Sequence, residues 1–152
     1  MLNRSLVTQE NLKMNLRDRV QELLDFQKTN PTVEESYERF YDENVVVQEN
    51  LQPPRVGRAL SIERQKRMNA NVQELHEFKV GVVLVDGFTG SHPLDGYSVI
   101  EMHLEITTVD GYRIRIEELG LQTWKDGRII QERYFYDPSN IQGDAKEINE
   151  VH

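Results

Sequence analysis

"TTVDGYRIRIEELGLQTWKDGRIIQERYFYD", residues 107–137, decides the fold. Two Asp-Gly pairs, at 110–111 and 126–127, each sit between runs rich in isoleucine, tyrosine and threonine. Asp-Gly supplies the positive φ angles that tight hairpins need, and the flanking residues favour a pleated, half-buried ribbon. The stretch therefore predicts an antiparallel meander, with strands over 97–109, 112–125 and 128–137. A further strand-like run covers 75–86. In 112–125, Ile114 and Ile116 share one parity while Leu119 and Leu121 share the other. A regular strand alternates faces, so this pattern predicts a bulge near Glu117–Glu118 that restores one apolar face and bends the sheet.

Upstream the periodicity changes from two to about 3.6. Leu12, Leu16, Val20, Leu23 and Leu24 form one stripe of an amphipathic helix from Thr8 onward. "TNP" at 29–31 ends it, because a residue before proline avoids the helical region. Thr32 and Glu35 make a capping box for a second helix, whose buried face is Val33, Tyr37, Phe40 and Tyr41. "VVVQE", 45–49, is a short strand, and "NLQPPRVG" a loop. A third helix spans 58–72, with a thin stripe of Leu60, Met68 and Val72. Three N-terminal helices packed on a bent antiparallel sheet make an α+β fold with a hollow between the layers. The boundaries read as a loose lead-in at 1–8, one domain at 9–138 and a polar tail at 139–152.

Composition narrows the function. The chain has 152 residues, no cysteine and a net charge of −8, which excludes disulfides and thiolate metal sites and disfavours phosphate backbones. No nucleic-acid partner is expected, and the basic cluster Arg64–Arg67 is read as a solvated helix face. No N-terminal apolar run resembles a signal peptide or membrane span, so no membrane partner is expected and the simplest location is cytoplasmic. The four histidines, 76, 92, 103 and 152, have no helical ligand spacing, and no nucleotide or nucleophile motif is present; neither a metal nor a cofactor is expected.

With these elements in place, "FYDENVVVQEN" (40–50), "GRAL" (57–60) and "WKDGRIIQERYFYDP" (124–138) resemble the SnoaL-like polyketide cyclase group of the nuclear transport factor 2-like superfamily. The resemblance implies a cone-shaped, cystatin-like α+β barrel, a homodimer through the sheet and a pocket for a small apolar molecule between sheet and helices. It also implies an acid on the last strand that points into the pocket. Counting back from Asp137, that position carries Tyr134, with Glu132 two residues earlier on the same face.

Glu132 and His103 are thus the candidate bases and Tyr134 or Tyr37 the candidate hydrogen-bond donor, since a carboxylate in an apolar pocket shifts toward neutrality and a phenol can stabilise a developing oxyanion. The catalytic candidates are Glu132, Tyr134 and His103, and Tyr37, Phe40, Glu49, Trp124 and Tyr136 are the candidate pocket residues. The alternatives at each position are a tyrosine packed in the core, a Glu101–His103–Glu105 row facing solvent or a dimer partner, and a loop-edge charge at Glu49. Three functions stay open: a cofactor-independent isomerase, cyclase or hydratase, a non-catalytic binder of an apolar ligand, and a dimeric protein-interaction domain.

Overall fold

In the computed structural model, which describes residues 14–87 and 91–138, capping chemistry sets the first two helices. Helix α1, Leu16–Gln27, starts at Asn15, whose side chain accepts from the Asp18 amide while the Asp18 carboxylate takes the Asn15 N–H. The onset is therefore Asn15, and the lead-in, Leu12 and the tail from 139 lie outside the described residues. Helix α2, Val33–Phe40, has the expected Thr32–Glu35 capping box. It stops one residue early, because Tyr41 already takes the extended backbone of strand β1, Tyr41–Glu49.

The "NLQPPRVG" loop contains a two-residue strand, β2, Arg55–Val56, paired antiparallel with β1. Helix α3, Arg58–Ala70, corrects the expected stripe: Leu60 is 52 % exposed, and the buried positions are Ser61 and Arg64. Strands β3 (Val72–Gly87), β4 (Gly96–Thr108), β5 (Arg113–Lys125) and β6 (Arg128–Tyr136) follow. They build a curled six-stranded sheet in the order β2-β1-β6-β5-β4-β3. The predicted meander is present, and only β1 and β6 run parallel.

The second Asp-Gly turn has both central residues at positive φ, Asp126 at 52° and Gly127 at 78°, as a two-residue hairpin requires. The first is wider: Thr108 is bonded to Tyr112, and Gly111 at φ 89° closes the loop.

The bulge is not at Glu117–Glu118. The β4–β5 ladder is unbroken from Gly96↔Trp124 to Thr107↔Arg113. The irregularity lies one hairpin later, where Trp124 pairs with Ile129 and Thr123 with Gln131, so that Ile130 is the extra residue. Ile129 and Glu132 consequently both face inward. The edge strand β3 has three further register shifts, after Val72, Leu75 and Val80.

The core is Leu16, Val20, Leu23, Phe40, Tyr41, Val45, Val47, Ile100, Trp124 and Ile129, where α1 lies against β3 and α2 against β1 and β6. Arg19 places its guanidinium 4.4 Å from the centre of the Phe40 ring and donates to the carbonyls of Arg39 and Gly127, tying α1 to α2 and to the last turn.

Candidate functional site: a carboxyl held by neutral donors

The inner face of the sheet is polar where the cavity meets it. Along β5 the inward residues are Ile114, Ile116, Glu118, Gly120, Gln122 and Trp124. Gln122 lies opposite Glu132, Gly120 opposite Tyr134 and Glu118 opposite Tyr136 on β6. Above Gln122, Glu132 and Tyr134 lies a cavity of about 720 Å³. Its walls come from Leu23 and Leu24 of α1, Tyr37 of α2 and Val80, Ile100 and Met102 of the sheet.

Glu132 is 2 % exposed and accepts three neutral donors. The Tyr41 hydroxyl lies 3.0 and 2.9 Å from its two oxygens, the Tyr134 hydroxyl 2.5 Å from Oε1, and the Gln122 amide nitrogen 3.0 Å from Oε2. Behind Gln122 the chain continues: Ser98 Oγ donates to Gln122 Oε1 at 2.8 Å, and Trp124 Nε1 donates to Ser98 Oγ at 2.8 Å. Gly120 makes room for this arrangement. A Cβ there would stand 2.9 Å from the Gln122 amide nitrogen and 3.2 Å from the Tyr134 ring.

Burial raises the affinity of Glu132 for a proton, and the bonds from Tyr134, Gln122 and Tyr41 oppose it; the net shift is upward. Burial, then the adjacent Glu132 charge, push the phenols of Tyr41, Tyr134 and Tyr37 well above their ordinary range, so all three keep their protons at neutral pH. Glu118 is raised to about 7 by burial and by the charges of Glu49 and Glu132, against the pull of Arg64.

The sequence-derived candidates separate into three groups. Glu132, Tyr134 and Tyr37 meet at the cavity. Phe40 and Trp124 are buried in the core, Trp124 serving the site through its indole N–H. Glu49, one strand over and opposite Tyr134, is 6 % exposed and bound to Arg55 at 3.0 Å and to Arg64 at 2.6 Å, so it is neither a loop-edge charge nor part of the Glu132 network. Tyr136 sits one inward position beyond Tyr134, its amide bonded to Asn50 Oδ1 and its phenol pushed up to about 12, burial being the largest cause.

His103 is corrected. It stands on the outer face, 3.3 Å from Glu101 and 3.5 Å from Glu117, because the cleanly apolar row opposite it claims the inside. Arg64 is corrected too: it is 6 % exposed and buried against Glu49, not part of a solvated face.

Sequence reasoning missed Ser98, Gln122, Glu118 and the role of Tyr41. Ser98 and Gln122 become neighbours only through the register set by the wider first turn; a two-residue turn at 110–111 would set Ser98 opposite Thr123. The signal that was present is the parity of Gln122 and Trp124, which match on β5.

One grouping of metal-type ligands occurs among the described residues: His92, Asp95 and Asp126 bring ligand atoms within 4.8 Å of one another. Their geometry is that of a loop clasp. Asp95 accepts from the amides of Asp126 at 2.7 Å and His92 at 3.2 Å, and His92 Nδ1 accepts from the Leu94 amide at 3.0 Å. No helix of the described residues is long and apolar enough to cross a membrane.

Solved structures share this architecture. A protein named as a SnoaL-like polyketide cyclase from Mesorhizobium loti superposes with a TM-score of 0.63 at 17 % identity, over 81 % of this chain and 100 % of its own. One named as an isomerase from Bacillus subtilis gives 0.64 at 19 %, over 83 % and 91 %. An NTF2-like protein of unknown function from Burkholderia pseudomallei gives 0.56 at 14 %, over 91 % and 97 %. No family model matches the sequence, and no curated protein matches it. The chain therefore has the nuclear transport factor 2-like α+β fold, and since a fold does not fix a function, activity has to be argued from the site.

Proposed function

We propose that the chain binds a small, largely apolar molecule in the cavity and acts on it by proton transfer at Glu132, without a cofactor, as an isomerase, cyclase or hydratase of a carbonyl substrate. The observation that carries this reading is the buried Glu132 carboxyl at the cavity floor, held by two phenols and an amide and, among the described residues, by no directly bonded cation. A carboxyl neutralised by an arginine keeps its charge. One held by neutral donors in a low dielectric binds a proton more readily than a free carboxyl does, which suits general acid–base chemistry. Tyr134 becomes the hydrogen-bond donor to the substrate oxygen once Glu132 has taken up the proton, and the names of the similar isomerase and cyclase structures agree with this class.

The test is a pH–rate profile of wild type and Glu132→Gln on a panel of apolar enolisable ketones. Loss of roughly 10²- to 10⁴-fold in turnover is the expected result. Unchanged turnover removes Glu132 from the reaction.

A second reading, a binder that performs no chemistry, is favoured by one fact: Tyr41, Tyr134 and Gln122 already occupy both oxygens of Glu132. A co-purified ligand that is never converted would select it.

The same reading includes a homodimer through the outer sheet face, where Leu84, Tyr97, Leu119 and Phe135 are exposed beside the His103 charge row. Light scattering should give the mass of a dimer for the wild type and of a monomer for Leu119→Arg, since a charge placed in an apolar interface is strongly disfavoured.

A further inference from the structure

The hydrogen bonds behind Glu132 have a direction, and the direction has a consequence for what can bind. The Trp124 indole can only donate, so Ser98 Oγ accepts from it and must send its own hydrogen onward. That hydrogen goes to Gln122 Oε1, which turns the Gln122 amide nitrogen toward Glu132 Oε2. The chain therefore delivers a donor to Oε2 whatever the state of the site.

The Tyr41 and Tyr134 hydroxyls each hold one proton. With Glu132 ionised, both point at the carboxylate, and the two phenol oxygens that border the cavity have only lone pairs to offer. With Glu132 protonated, the new hydrogen sits on Oε1, because Gln122 still serves Oε2. It must be donated to a phenol oxygen, with Tyr134 at 2.5 Å the nearer partner, and the displaced phenol hydrogen, released from the carboxyl, becomes available to an acceptor in the cavity.

We infer that one proton on Glu132 sets the polarity of the cavity floor, so that the ionised site takes an apolar alcohol and the protonated site takes the ketone of the same skeleton. This inference rests on the cavity being the ligand site, and it names the ligand's head group. The groups that surround the switch are Tyr37 from α2, Tyr41 and Glu49 from β1, Arg55 from β2, Arg64 from α3, Glu118 and Gln122 from β5 and Tyr134 from β6. Arg55 and Arg64 are both bonded to Glu49, which leaves Glu118 as the other carboxyl whose charge reaches Glu132.

The test uses a matched pair of rigid bicyclic probes, borneol and camphor, with dissociation constants measured calorimetrically from pH 5 to pH 9. As pH rises, the preference should swing from camphor to borneol by about tenfold, the size of one hydrogen bond made or left unmade in a buried site. Glu132→Gln places an amide nitrogen where the protonated oxygen would be and should prefer camphor at every pH. If that variant does not fold, Tyr134→Phe serves in its place and should shrink the swing. Glu118→Gln should keep it.

A wild-type preference that stays flat with pH, both probes binding, overturns the switch and leaves the cavity reading standing. A swing that disappears in Glu118→Gln assigns the proton to Glu118 and also overturns it. If neither probe binds, the cavity reading fails and takes the switch with it.

Discussion

Glu49 and Glu132 lie on neighbouring parallel strands, both almost fully buried, and they are held in opposite ways. Glu49 is gripped by the guanidinium groups of Arg55 and Arg64, which reach it from β2 and α3. Glu132 is gripped by two phenols and an amide. The first arrangement is a pair of salt bridges that fastens a helix to the sheet. The second leaves the charge state open. Two carboxyls of similar depth thus separate structure from chemistry, and partner type, not burial, makes the difference.

The sharpest way to break the comparison is Glu49→Ala. It removes the carboxylate that Arg55 and Arg64 both bind, and should destabilise the fold by about 3 to 5 kcal/mol, read from urea midpoints. A loss as small as that of an exposed pair would show that α3 is held by something else.

Next in size is Glu118→Gln. A carboxyl whose proton affinity is raised by folding contributes its stability below the unfolded carboxylate range, and loses it as pH climbs through the folded value of about 7. The variant should therefore gain roughly 2 kcal/mol over wild type at pH 8 and nothing at pH 4. An equal gain at both values would mean that charge is not the cause.

The smallest expected effect comes from Gly120→Ala. The added methyl crowds the Gln122 amide and the Tyr134 ring, at a cost of about 1 to 2 kcal/mol. It should nonetheless alter the pH response of ligand binding more than a mutation of similar cost on the outer face. If the two responses are the same, Gly120 has no positioning role.

The meander and both capping signals were legible because they are local: an Asp-Gly pair between β-branched runs, or a threonine three residues before a glutamate, carries its own geometry. The cavity floor was half legible. The alternation along β6 placed Glu132 and Tyr134 together, but the rule that the inner face is apolar misread β5. There, Glu118 and Gln122 point inward and Leu119 and Leu121 outward, so the apolar side switches along an unbroken ladder and not at a bulge.

The same assumption hid Arg64, since a stripe of leucine and methionine was expected to face the core and a serine and an arginine do. Where a sheet encloses a hollow instead of a packed core, polar residues belong inside, and hydropathy alone points the wrong way. Ser98 and Gln122, 24 residues apart, required a register that turn composition left one residue uncertain.

The broken register of β3 bears on how this protein survives in a crowded solution. At the rim of the sheet, this sixteen-residue strand leaves Leu75, Phe78, Val82 and Leu84 exposed, the makings of a template for runaway stacking between molecules. Its three interruptions prevent any incoming chain from docking along more than a few amides in a row, so the rim stays sticky in composition yet unreceptive in geometry.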